Sequence, residues 1–162
     1  MVNSRLKQDG VSLIELMVTI TILGILVITG TSLTAVWSKQ VELDKATISL
    51  KSAFNLSRST AIRNQFAQKT SYVASQICFD IDSKKLSVHK ATETEFASCD
   101  SPIVFSYPLS QTIDIKNTDT TNFRCFSFNN FGQISNQTTG NCQINLSLNI
   151  SNGSLNETIN LN

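Results

Sequence analysis

The chain has 162 residues, and its 13 Lys and Arg against 12 Asp and Glu leave a formal charge of +1. That length holds one ordinary domain with an accessory segment, not two full domains. The near-neutral balance argues against a strongly basic nucleic-acid binder, a local patch aside. Charged residues make up 15%, against about 25% in an average soluble domain. The gap is filled by 21 Ser, 17 Thr and 15 Asn, a composition that reads as exported.

Residues 1–10 are polar, with Arg5 and Lys7 against Asp9. Residues 16–37 then carry no charge. As a helix they would rise roughly 33 Å, close to the ~30 Å hydrocarbon core of a bilayer. The run exceeds the apolar region of a secretory signal, and no small-residue cleavage site closes it. Basic residues before it predict a cytoplasmic N-terminus and an exported remainder. Glu15 stands near the start of the stretch, after Val11, Leu13 and Ile14. A carboxylate in hydrocarbon costs on the order of 3 kcal/mol on insertion scales. It is either a functional ion awaiting a cationic partner or a side chain that snorkels to the headgroups.

The string Gly10-Val11-Ser12-Leu13-Ile14-Glu15-Leu16-Met17-Val18 closely resembles the class III signal of type IV pilins and type II secretion pseudopilins. Its usual form is G-F-T-L-I-E-L, so Val11 stands where the family has Phe. The resemblance implies that a prepilin peptidase cuts between Gly10 and Val11 and N-methylates Val11. It also implies that Glu15 neutralises the terminal amine of a neighbouring subunit in a filament, where apolar helices pack side by side. Gly24 and Gly30 read as bends or close helix approaches, or as ordinary glycines of an apolar helix. No proline precedes Pro102.

Residues 39–64 contain neither Pro nor Gly. At 100° per residue Leu43, Ala46, Leu50, Ala53, Phe54, Ser57 and Ala61 share one face, while Asp44, Lys51 and Arg58 lie to one side. Val41, Ile48 and Ile62 form a second apolar stripe, exposed or meeting another subunit. From Ile48 to Cys78 the sequence, including Ser57-Arg58-Ser59 and Ala61-Ile62-Arg63, resembles the FimT, FimU and GspH minor pilins. Arg58 and Arg63 read as a solvated face or a complement to the helix dipole.

Beyond residue 70 the period changes to two. Strands are predicted over 71–82, 86–89, 103–107, 111–116, 124–131, 143–150 and 155–161, with turns at 82–85 and at Asn152-Gly153. The expected fold is therefore α+β: a leader (1–10), a membrane-spanning or filament-core helix (11–37), its amphipathic continuation (38–66) and an antiparallel β head (67–162), with 38–162 as the globular part. Cys78, Cys99, Cys125 and Cys142 include no C-x-x-C pair, poor spacing for a metal. An even cysteine count in an exported chain predicts disulfides. Of three possible pairings, Cys78–Cys99 with Cys125–Cys142 is favoured because each closes a local loop.

No hydrolase, metalloprotease, phosphate-loop or dinucleotide motif occurs. His89, the single histidine, reads as a surface residue on a hairpin, and no enzymatic activity and no cofactor are expected. The leading expectation is a minor pilin of type IV pilus assembly, partnered by other minor pilins, the major pilin and prepilin peptidase. It would be held in the inner membrane before assembly, head in the periplasm, and lie in the extracellular pilus afterwards. The near alternative is a GspH-type pseudopilin. The third is a FimT-like DNA-binding pilin, for which Lys84, Lys85 and Lys90 form a weak basic hairpin. The absence of Lys or Arg after Arg124 argues against nucleic acid as a partner.

Overall fold

The computed structural model describes residues 11–66, 72–135 and 141–161, without the side chains of 29–33. The expected leader with Gly10, and Ser71, lie outside these residues, as does the side-chain setting of Gly30. Helix α1 runs Leu13–Arg63. Seven strands follow: β1 (Ser75–Asp80), β2 (Lys85–Lys90), β3 (Ile103–Pro108), β4 (Ile113–Asn117), β5 (Cys125–Phe128), β6 (Ser147–Asn152) and β7 (Leu155–Asn160). They build two antiparallel sheets, ordered β3-β2-β1-β5 and β4-β6-β7. The fold is α+β. Residues 1–38 and 39–162 form separate compact units.

In the second unit the periodic stripe of α1 supplies the core. Leu43, Ala46, Leu50, Ala53, Phe54, Ser57 and Ala61 are all buried, while Val41, Ile48 and Ile62 are exposed. The stripe packs with Ile77, Phe79, Leu86, Val88, Phe126 and Phe128 from the first sheet and with Ile113, Ile115, Leu148 and Ile150 from the second. Phe54 meets Phe128 edge-on at 5.1 Å and Phe126 at 6.2 Å. Ser57, the one polar member of the stripe, lies 2.7 Å from the Ser75 hydroxyl, which donates to the His89 carbonyl. A carbonyl only accepts, so Ser57 donates to Ser75 and the buried pair is satisfied.

The helix ends at Asn64. Its amide donates to the carbonyls of Ala74 and Ala91, and its Oδ1 accepts from the Phe66 N–H. This one side chain ties the helix terminus to the start of β1 and the end of β2. After β5, Asn129 Oδ1 accepts from the N–H groups of Phe131 and Gln133. The turn needs Gly132 at φ 70, where an added Cβ would stand 2.8 Å from Arg58 Cγ.

Two expectations change. β6 begins at Ser147, not 143, because Gln143 N–H is drawn to the Cys125 carbonyl and Asn145 Oδ1 caps the Ser147 N–H. The last hairpin turns on Gly153-Ser154, one position later than expected, since Asn152 still pairs with Leu155. Gly153 at φ 64 occupies the first loop position, as a type II′ turn requires. Among the described residues no helix is long and apolar enough to cross a membrane.

Three carboxylates brace the second unit. Glu42 accepts from Thr112 Oγ1 and Asn152 Nδ2, each at 3.0 Å. Asp80 accepts from the Ser83 hydroxyl and the N–H groups of Ser83 and Asp82, and Asp119 from the Thr121 hydroxyl and N–H. These bonds, led by Thr112, Ser83 and Thr121 respectively, lower all three pKa values below the ordinary 4.5 for Glu42 and 3.8 for Asp80 and Asp119. A depressed carboxylate stabilises the fold fully above its unfolded pKa and loses that contribution as pH falls through the folded value. The urea midpoint is therefore expected to hold from about pH 7 to 5 and to fall below about pH 4. A midpoint flat to about pH 2.5 would contradict this.

Candidate functional site

The N-terminal site is built on the first turn of α1. The Leu16 N–H bonds the Ser12 carbonyl at 3.1 Å, so Ser12 is the N-cap and Glu15 the third helical residue. Ser-x-x-Glu at these positions is the spacing of a capping box, and an acid in the first turn also complements the helix dipole. This spacing is legible in the sequence and is separate from any ion pair with a neighbour. Val11 and Glu15 are both exposed, so the amine freed by a cut before Val11 and the carboxylate are open to another molecule. Gly10 lies outside the described residues.

Every described side chain from 11 to 28 is exposed, including Leu13, Ile14, Leu16, Ile20, Leu23 and Leu26. These residues lie all round the helix and not on one stripe. A helix apolar on all sides is a buried helix, yet the described side chains of residues 11–28 are exposed. Two of its hydroxyls bond within the helix: Thr19 Oγ1 donates to the Leu16 carbonyl at 2.8 Å and Thr21 Oγ1 to the Met17 carbonyl at 2.7 Å. These two hydroxyls can therefore enter an apolar environment without a stranded donor. A Cβ added at Gly24 would meet nothing within 4 Å, so no close approach among the described residues explains that glycine.

Residues 5–31 match the family model of the prokaryotic N-terminal methylation motif.

The methylation motif spans the basic leader, the Gly10-Val11 junction, Glu15 and most of the uncharged run. It fits a type IV pilin-like protein with an N-terminal membrane anchor, and it implies processing by prepilin peptidase and assembly with other pilins. No curated protein and no solved structure matches the chain.

In the β head, Cys78 is joined to Cys99 and Cys125 to Cys142. The bridges close loops of 21 and 17 residues, each worth about 3 kcal/mol by loop entropy. Both lie on the face of the first sheet turned away from α1. His89 is there too, and it is buried, not on the surface as the sequence suggested. The loop carrying Cys99 covers it. Its Nδ1 donates to the Ser101 carbonyl at 2.6 Å, and Ser87 Oγ lies 2.8 Å from Nε2. A hydroxyl–imidazole pair thus exists, but its third partner is a backbone carbonyl, and the histidine acts as a bolt between β2 and the 98–101 turn. The signal was present in the sequence: His89 and Ser87 alternate with Leu86 and Val88 and so belong on the face opposite the main core.

The three lysines are not brought together. Lys84 Nζ is 2.6 Å from Asp114 Oδ1. Lys85 and Lys90 stand at opposite ends of β2, about 17 Å apart at strand spacing. Lys90 instead shares a cavity of about 550 Å³ with Arg63, Phe66 and Ile103. Among the described residues no three His, Cys, Asp or Glu side chains gather as metal ligands.

Proposed function

We propose that the chain is a minor pilin that takes part in type IV pilus assembly and initiation. The observation that carries this is the methylation motif on a helix whose apolar side chains are exposed on every side. In this reading prepilin peptidase cuts after Gly10 and methylates Val11. The segment 11–37 holds the protein in the inner membrane, N-terminus in the cytoplasm and head in the periplasm. On assembly the helix leaves the bilayer for the filament core, and Glu15 takes the Val11 amine of an adjacent subunit as its counter-ion. Two desolvated ions that neither environment tolerates alone become acceptable as a pair. The role is structural, with no catalytic step and no cofactor. Other minor pilins and the major pilin are the partners, met by the helix and by its exposed stripe Val41, Ile48 and Ile62.

The resemblance of residues 48–78 to FimT, FimU and GspH supports a minor over a major pilin and keeps the GspH-type pseudopilin as the second reading. DNA binding of the FimT kind is disfavoured by the dispersal of Lys84, Lys85 and Lys90. Deleting the gene and scoring surface pili and secreted enzymes side by side separates the readings. Loss of pili with intact secretion is expected. Lost secretion with normal pili would transfer the protein to the secretion system.

A further inference from the structure

We propose that the two disulfides form one exchange unit, and that an external thiolate attacking Cys99 relinks the head through a Cys78–Cys125 bridge. Cys78 and Cys125 are direct register partners on β1 and β5. Residues opposite each other in an antiparallel pair stand roughly 4.5–5.5 Å apart at Cα, inside the range of about 4.4–6.8 Å that a disulfide spans. Cys78, Cys125 and Cys142 pack in one buried cluster, whereas Cys99 is exposed. The Cys78–Cys99 bridge also lines a cavity of about 370 Å³ with Ser87, His89, Lys85 and Ile103, which gives a thiol access.

The chemistry balances with a thiol as the co-reactant. The external thiolate bonds to Cys99 Sγ, the Cys78–Cys99 bond breaks, and Cys78 leaves as a thiolate. Cys78 Sγ then bonds to Cys125 Sγ, and Cys142 leaves as a thiolate that takes a proton from solvent. A second external thiolate attacks the outer sulfur of the mixed disulfide on Cys99 and releases an oxidised thiol pair. In total two thiols are oxidised, the protein gains two electrons, and Cys99 and Cys142 end as free thiols.

Gln76 favours that end state. Its Nε2 lies 3.1 Å from Cys142 Sγ and 3.4 Å from Cys99 Sγ, the two sulfurs released. An N–H donor holds a thiolate more strongly than a disulfide sulfur. The residue is fully buried and its Oε1 has no hydrogen-bond partner. A thiol S–H would supply the missing donor. The staple thereby moves from two loops to the sheet itself, and the 91–102 loop is untied from β1.

The test is limited reduction of the full chain in detergent micelles with dithiothreitol, without denaturant. Acid quenching, alkylation with N-ethylmaleimide and peptide mass mapping then identify the two-electron-reduced form. The expected main species carries a Cys78–Cys125 link with Cys99 and Cys142 alkylated. Alkylation of Cys78 and Cys99 with Cys125–Cys142 intact, or any other linkage as the main species, would overturn the proposal.

Discussion

Glu15→Gln is expected to leave α1 intact and to reduce incorporation of the protein into filaments by more than about tenfold. Glutamine keeps the third position of the capping box that Ser12 opens, so helicity measured by far-UV circular dichroism in micelles should match wild type. What it removes is the charge that pairs with a neighbour's amine. Taking one partner from a desolvated ion pair costs roughly 3–5 kcal/mol, and about 1.4 kcal/mol is a factor of ten. Immunoblotting of sheared surface filaments gives the readout. Glu15→Val loses both roles, so it should show the same assembly defect with added fraying of the first turn. Normal incorporation of Glu15→Gln would reduce the residue to a helix cap.

Phe126→Ala is expected to cost the β head about 3–5 kcal/mol. Phe126 is fully buried, with Phe123 at 4.8 Å and Phe54 at 6.2 Å. It sits where β5 meets the helix stripe, between backbone segments fixed by Cys125 and by pairing with Ile77. The site cannot collapse around a missing ring. The thermal midpoint should fall by roughly 10–20 °C for a unit of this size. Ile48→Ala, exposed on the same helix, should stay within about 0.5 kcal/mol of wild type. If Ile48→Ala nevertheless weakens assembly, the second stripe of α1 is an interface and not part of the fold.

Much of this architecture could be read in advance, and the reasons lie in local periodicity. Leu43 to Ala61 announce the buried face because a helix repeats every 3.6 residues whatever it packs against. Ile77 and Phe79 alternate with Gln76 and Cys78 for the equivalent reason in a strand. The division into two sheets had no such signature. β4 leaves its sequence neighbour β5 to pair with β6, and β5 returns to β1; pairings between distant segments are decided by packing. His89 was misjudged for the same reason: its strand was legible, but the cover over it comes from a loop held by Cys99. Gln143 through Asn145 alternate like a strand, yet the Gln143 N–H bonds the Cys125 carbonyl beside the Cys125–Cys142 bridge and Asn145 Oδ1 takes the Ser147 N–H, so the strand starts later. At the N-terminus both the position of Glu15 and the Ser-x-x-Glu spacing at the start of α1 are local in sequence and so plain in it.

The most direct test of the account is the intact mass and N-terminal peptide of the protein isolated from its own cells. A chain beginning at Val11, heavier by one methyl group on its amine, is the expected result. A chain that still carries residues 1–10 would contradict processing, and with it the pairing of Glu15 and the filament.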